Sequence, residues 1–452
     1  MSGSVPTAIL VAAVISAGYL FWKSAVRKNN VPPGPHRWPL IGSVLEIPQT
    51  YQWVTFSKWA KTYGSIVYVD ALGQPIIVIN SAKVASDLLD KRGSIYSDRP
   101  ILMMAALCGG TNSFVLQSYS ESWRQQRKIV AQAFTSAAVR RYYPLQETEA
   151  RKLVHGLIDD PSTLARQTQL RIGAIILRVA YGHYVTGEND PFLTTGLTSM
   201  EYFSKATTPG TLTGDTITKQ WRKIVMRATW DPYLWCKKNL ATGTVLLPNF
   251  CAQYLAAEDV KMSEEQEENL VWAAASVMGG GLDTASSIRA YNTSSILTFF
   301  LAMILNPSVQ RKAQEEIDRV IGPDPEVFRW QPAAPLGMAH SLSQDDVYDG
   351  MHLPKGSVVI PNVWHMLHDP EVYPNPMEFD PDRYQGLDSE MDKVTDINFG
   401  FGRRACPGKS FAEGTFFAVV STVLATCEIS PIQDTEGNTV LPDISYTSGT
   451  IS

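Results

Sequence analysis

The stretch FGFGRRACPG, Phe399 to Gly408, sets one thiol, Cys406, among three glycines, two arginines and a proline, late in a chain of 452 residues. Behind Pro407 runs GKSFAEGTFFAVVSTVLAT, a helical pattern, and proline is favoured in a first helical turn. The spacing therefore puts the thiol at a helix N-terminus, where the dipole and free N–H groups favour a thiolate. Arg403 and Arg404 add positive charge beside it, and Gly400, Gly402 and Gly408 let the backbone come close to a flat, bulky partner.

Outward from that stretch, the composition is that of a globular protein with a sizeable core: 44% apolar and 18% charged residues. A net charge of −5 gives no support for nucleic-acid binding. The five cysteines, Cys108, Cys236, Cys251, Cys406 and Cys427, are odd in number and form no CxxC pair, which reads as reduced thiols in a cytosol-facing domain. There is no zinc pattern, no GxSxG elbow and no phosphate-binding P-loop. The N-terminus differs from the rest. VPTAILVAAVISAGYLFW, Val5 to Trp22, holds no charge over 18 residues, just the length needed to cross a bilayer. Lys23, Arg27 and Lys28 follow and assign that side to the cytoplasm. A secretory signal peptide would carry basic residues before the apolar run, and none is there. VPPGPHRWPLIG, Val31 to Gly42, then forms a stiff hinge. The organisation expected is an anchor with its basic flank over 1–30, a Pro-rich hinge over 31–42 and one catalytic domain over 43–452.

Within that domain SIVYVDALGQPIIVIN reads as two strands joined by a Gly-containing turn, and SAKVASDLLDKRG as a helix with Ser81 as its N-cap. Helical patterns cover 117–135, 145–181, 264–305 and 308–321, while short strands and Pro-rich turns fill 330–400. The class expected is mainly α with small β-sheets.

A thiolate held as Cys406 is can ligate haem iron and push electron density that favours O–O cleavage. FGFGRRACPG fits the haem-binding signature of the cytochrome P450 family, F-x-x-G-x-R-x-C-x-G, at every fixed position. The resemblance implies that Cys406 is the axial ligand, that Phe399 packs on the haem, that Gly402 and Gly408 admit it, and that Arg404 pairs with a propionate. Four further motifs match in the family's order. WRQQR resembles the C helix, whose Trp123 and Arg127 would reach a propionate. GGGLDT, Gly279 to Thr284, resembles the oxygen-binding kink of the long I helix, where glycines and a Thr hydroxyl loosen the helix ladder and Asp283 and Thr284 would relay protons. EVFR, Glu326 to Arg329, with Arg383 of FDPDRY, resembles the family's Glu-Arg-Arg structural network. His340 after PLGMA is a further candidate for a propionate, or a surface or capping residue. The wording is nearest to fungal membrane-bound members such as O-methylsterigmatocystin oxidoreductases.

What the resemblance implies is a haem-thiolate monooxygenase of the endoplasmic reticulum membrane, single-pass, with haem b (iron protoporphyrin IX) as cofactor. NADPH-cytochrome P450 reductase would supply electrons through a basic patch of Arg124, Lys128, Arg403 and Lys409, and a small hydrophobic substrate of secondary metabolism would line up along Met103–Phe114, Met278 and Ala334–Leu336. Two other readings stand beside it: an inactive or degenerate haem-binding membrane protein, and a haem-thiolate isomerase or dehydratase, against which Asp283 and Thr284 argue.

Four departures from the family pattern bear on the alternatives. Pro325 and Pro332 leave the ExxR helix barely two turns, about 10 Å. TASSI at Thr284–Ile288 is echoed by TSSI at Thr293–Ile296; an insert of about eight residues would turn a helix by about 80° and shift it by about 12 Å. After ATTPG, Ala206 to Gly210, the Pro- and aromatic-rich F–G lid is missing, and SYTSGTIS stops short of the family's last strand. Each break through a helix reads as an exon-boundary error or a decaying gene, since tolerated length changes fall in surface loops. A transcript encoding this chain unaltered would defeat the mis-splicing reading.

Overall fold

A computed structural model describes residues 16, 18, 30–208, 211, 213–246, 248–256, 262–286, 291–317, 326–384 and 388–442. The expected anchor, Val5–Trp22, lies outside these but for Ser16 and Gly18, and among the described residues no helix is long and apolar enough to cross a membrane.

The β-branched run after Ser65 forms β1 (Ile66–Ala71), which turns through Leu72 and Gly73, at φ 55° and 84°, into antiparallel β2 (Gln74–Ile79). The period of two divides their side chains. Val67, Val69 and Val78 pack with Phe56 of α1 (Gln52–Tyr63), while Ile66, Ile77 and Ile79 face the main core. β3 (His340–Ser341) and β6 (Val358–Pro361) extend the sheet in the order β1-β2-β6-β3, and β4 (Asp346–Tyr348) pairs with β5 (Met351–Leu353) as a separate ribbon. This sheet matters for function because β3 fixes His340. The helix expected behind Ser81 also forms, with the Ser81 hydroxyl accepting the Val84 N–H at 3.5 Å.

The helical mass begins with α2 (Glu121–Ala133), capped by the Ser120 hydroxyl on the Trp123 N–H at 3.1 Å. The pattern over 145–181 divides into α3 (Tyr143–Asp159) and α4 (Leu164–Tyr181) rather than running as one helix. Pro161 cannot donate to the ladder, and the Asp160 carboxylate accepts the Ser162 N–H, closing a short turn in its place. α5 (Pro191–Thr207) and α6 (Asp215–Ala241) follow, then α7 (Glu264–Ser286) and α8 (Tyr291–Leu305). Residues 287–290, on which the suspected insert falls, lie outside the described residues, as do 209, 210 and 212 of the suspected missing lid. α9 (Pro307–Ile317), the five-residue α10 (Glu326–Trp330), α11 (Asp388–Phe399) and α12 (Lys409–Thr426) complete the set named here.

α7 threads the centre, and its glycines do different things. A Cβ on Gly281 would stand 2.3 Å from Ile176 Cδ1 of α4, and one on Gly279 would stand 3.0 Å from Met200 Sδ of α5, whereas one on Gly280 would meet nothing within 4 Å. Two glycines thus permit close helix packing and the third leaves backbone bare. The helix stays regular α through Ser286, so the loosened ladder expected at Gly279–Thr284 does not interrupt it. The side chains of Asp283 and Thr284 lie outside what is described.

α10 holds a buried ion pair. Glu326 and Arg329 are both fully buried, and the guanidinium donates to both carboxylate oxygens at 2.7 and 2.6 Å. Arg329 also donates to Leu367 O, Pro376 O and Glu378 O, while Tyr384 OH and Asp380 N–H donate to Glu326. Arg383 Nε stands 3.7 Å from Glu326 Oε1, and its Nη1 donates to Pro374 O, so the three expected members of the network do meet. Removing one partner of such a pair strands a buried charge and costs about 3 to 5 kcal/mol. Arg329→Met is therefore expected to lower unfolding free energy by about that much in urea titration, and Arg383→Met, at the edge of the network, by less than half of it.

Candidate active site

One cavity of about 290 Å³ gathers Phe399, Arg404, Cys406, Gly408 and His340 of the residues that the sequence marked. Phe399 and Cys406 line it from the FGFGRRACPG loop, Gly280 and Gly281 from α7, and His340 and Arg404 from the sides. The loop is built for that placement. α11 ends at Phe399, and Gly400 and Gly402 then take φ 84° and 57°, conformations that favour glycine. At Gly402 any Cβ would also stand 2.1 Å from Leu89 O. The loop closes on itself when the Cys406 N–H donates to Phe399 O at 2.7 Å. α12 then starts at Lys409 with Gly408 as its N-cap, so Pro407 precedes the cap and does not occupy the first turn.

Cys406 counts as exposed by surface area, yet it is packed round by protein. The two agree because its open surface faces the cavity. Burial raises the thiol above its ordinary value, and the Gly408 N–H and Arg127, which pull the other way, are outweighed. The helix end and a nearby arginine do favour the thiolate, as the sequence suggested, but against a larger desolvation. Desolvation dominates here, and a cation bonded to the sulfur is what would hold the charged form.

Three guanidiniums converge beside the cavity. Arg99 donates to Val115 O, Met338 O and Ala339 O, Arg404 to Ser97 O, Phe114 O and Gln117 O, and Arg127 to Ala405 O. Among the described residues no carboxylate lies within ion-pair distance of any of them. Burial, then the charge of Arg404, holds Arg99 down to about 9, and burial together with the charge of Arg127 holds Arg404 down to about 10; Asp98 offsets part of each. His340 is buried, with Nδ1 2.8 Å from Tyr96 O, so that nitrogen carries the proton and donates. Burial, then Arg99 and Arg404, push His340 down to about 3, so it is neutral. Trp123 stands elsewhere than expected: its indole N–H donates to Phe114 O at 3.2 Å, its ring stacks on Phe114, and Arg404 lies 4.3 Å over it. It buttresses Arg404 from behind and is not among the residues lining the cavity.

The family model of cytochrome P450 matches residues 32–183 and 235–450. The chain belongs to the cytochrome P450 family. It is 48% identical, over 99% of its length and 92% of the relative's, to cytochrome P450 monooxygenase 105 of Postia placenta, and 35% identical, over 99% and 89%, to cytochrome P450 monooxygenase claR of Ampulloclitocybe clavipes. This cytochrome P450 is accordingly a monooxygenase of fungal type. Its fold is that of a zebra fish cytochrome P450 solved with progesterone, at TM-score 0.73, 21% identity and coverage of 88% of this chain and 96% of that one. The stretch that the family model leaves unmatched, 184–234, holds α5 and most of α6.

Membership brings a haem cofactor, electrons from a reductase and a small-molecule substrate. The cavity fits haem on its own terms. It offers one thiol, a bare backbone at Gly280, and guanidiniums that lack a carboxylate in contact, as a flat group with two carboxylates requires. Sequence reading missed Arg99 and Ser276, which also line the cavity. Nothing in the spacing of YSDRP points to Arg99. Ser276 was open to inference, since it sits four residues before Gly280 and so on the same helix face. Of the expected substrate-side residues, Phe114 and Ala334 line the cavity, whereas Met278 packs toward α5 beside Gly196.

His340 gives a pH dependence with a definite sign. It is neutral in the fold and takes up a proton near 6.5 when unfolded, so its contribution is whole above pH 6.5 and is lost as pH falls toward 3. Over that window the haem-free wild type is expected to lose roughly 3 to 5 kcal/mol more than His340→Gln, as read from urea midpoints at each pH.

Proposed function

We propose that this cytochrome P450 inserts one oxygen atom into a small hydrophobic substrate of secondary metabolism, at the endoplasmic reticulum membrane, with its catalytic domain on the cytoplasmic side. The cofactor is haem b, and electrons pass from NADPH through NADPH-cytochrome P450 reductase. The observation that carries this reading is the cavity itself: a single thiol, Cys406, facing a chamber with otherwise largely apolar walls, with bare Gly280 backbone on α7 and a cluster of arginines at its edge.

Haem, when bound, supplies the activation of dioxygen. The chain's own residues do the rest. Cys406 is the thiolate ligand, held by its N–H on Phe399 O. Arg404 and Arg99, with Arg127 behind them, would hold the carboxylate edge, and neutral His340 lines the cavity beside them. Phe399 packs on the ring, and Gly402 and Gly408 keep the loop close to it. Phe114, Ile176, Val277 and Val363 line the chamber and exclude water, which favours an apolar reactant. Asp283 and Thr284, on the turn of α7 after Gly280, deliver protons. Lys128 and Arg403, with Arg124 and Lys409, offer a positive face to an acidic reductase. Arg124 and Lys409 already pair with Glu121 and Asp396, but these are exposed, weak pairs that a partner's carboxylates can replace.

A second reading, a haem-binding chain without turnover, draws on the shortness of α10. One experiment separates the cases. The reduced recombinant chain with carbon monoxide is expected to give a thiolate-type Soret band, and Cys406→Ala to lose it. A variant that kept the band would remove the thiolate assignment. A normal band with no NADPH-dependent oxygen consumption, in the presence of reductase and a range of apolar compounds, would favour the second reading.

A further inference from the structure

Two of the five cysteines meet in the fold although no sequence spacing pairs them. Cys236 lies near the end of α6, and Cys251 follows fifteen positions later in the short helix Phe250–Ala256. Both are fully buried. Asn249 joins them. Its Oδ1 accepts the Cys236 S–H at 3.6 Å and the Ala252 N–H at 2.8 Å, so the turn that carries Cys251 is fastened to the Cys236 sulfur. The sulfurs are also within hydrogen-bond reach of each other, with the Cys251 S–H donating to Cys236 Sγ. Tyr181, fully buried, stands beside both, and among the described residues its hydroxyl has no hydrogen-bond partner.

Packing alone accounts for one buried cysteine as a small apolar group. It does not account for a second sulfur against the first with an unanswered phenol beside them. The hydrogen bond from Cys251 holds Cys236 below the ordinary thiol range, while burial pushes Cys251 well above it. Cys236 is thus the sulfur that attacks, and Cys251 keeps its proton until its own turn. A disulfide would suit the place. It is neutral, so burial does not oppose it, and Asn249 Oδ1 keeps the Ala252 N–H when the Cys236 S–H is gone.

We infer that Cys236 and Cys251 form a redox-sensitive pair that hydrogen peroxide converts into a disulfide, clamping the loop between α6 and the helix Phe250–Ala256. In the first step the Cys236 thiolate attacks one peroxide oxygen and the O–O bond breaks. Cys236 becomes a sulfenic acid, and the hydroxide released takes up the proton that Cys236 gave up, leaving as water. In the second step the Cys251 sulfur attacks the Cys236 sulfur, and the displaced hydroxide takes the Cys251 proton and leaves as a second water. Two electrons pass from the sulfurs to the peroxide. The loop provides the entry: Ala241, Thr242, Gly243 and Thr244 are exposed, and one local opening there uncovers both thiols together. In a cytosol-facing domain such bonds are transient, so the pair of free thiols is the resting state.

The test treats the haem-loaded chain, first reduced with dithiothreitol, with hydrogen peroxide, then blocks the remaining thiols and digests with trypsin without reductant. Cys236 is released in 228–237 and Cys251 in 239–261, so a bond between them joins two peptides. The joined pair is expected, and dithiothreitol is expected to separate it. Its absence at a peroxide dose that bleaches the haem would overturn the proposal, as would sulfinic acid on Cys236 with no joined peptides. Cys251→Ser is expected to leave a sulfenic acid on Cys236 that a cyclic diketone captures, and Cys236→Ser to leave Cys251 uncaptured. Capture at Cys251 in Cys236→Ser would overturn the assignment of the attacking sulfur. On the native oxidised chain, trypsin is expected to cut after Lys238 about fivefold more slowly than on the reduced one. Equal rates on a chain that carries the bond would overturn the clamp.

Discussion

A carboxylate and a guanidinium with no access to water hold the stretch over 367–384 in place. Glu326 and Arg329 satisfy each other bidentately, and Arg329 spends its remaining donors on the carbonyls of Leu367, Pro376 and Glu378. That fixes the irregular, Pro-rich stretch which has little secondary structure of its own. The same short helix then reaches the site: Asn398 Nδ2 donates to Phe328 O at 2.8 Å, and the next residue, Phe399, accepts the Cys406 N–H. A buried ion pair is often no better for stability than apolar residues would be. Here it ties a five-residue helix, three carbonyls and, through Asn398, the ligand loop into one unit.

The site sets two electrostatic demands against each other. Burial discourages charge on Cys406 and on Arg99, Arg404 and His340 alike. The protein meets the cost of the arginines by spreading their donors over backbone carbonyls, which satisfies hydrogen bonds without neutralising charge. The excess of positive charge so retained is directed at the cavity, opposite in sign to the thiolate and carboxylates of haem. Membership of the family and the chemistry of these walls lead to the same cofactor by separate routes.

Much of this was legible in the residues. The ligand loop and the β1–β2 hairpin are local: their glycines, caps and alternation act over a few positions, so the sequence carries the whole instruction. The Glu-Arg-Arg network was legible through the family pattern alone, since EVFR by itself says nothing about Arg383 fifty-four residues later than Arg329. What escaped was set by the third dimension. The thiol was read from its helix end and its arginines, whereas the desolvation that opposes them depends on everything packed round it. Trp123 was expected at a propionate only through the resemblance of WRQQR to the family's C helix, and in the fold its N–H goes to the Phe114 carbonyl. The 145–181 pattern kept its apolar period across Pro161, and only the missing donor there shows the break.

Consider finally the two neighbouring glycines of α7. At 281 the space for a methyl group is already filled by Ile176, so a larger residue there strains the contact with α4. At 280 nothing opposes a side chain, which would project into open volume. One peptide bond thus separates a position where size is limited by the architecture from one where size would trim the chamber. A side chain at the second would take up chamber volume, the cofactor's room included, while leaving untouched how the helices meet at the first.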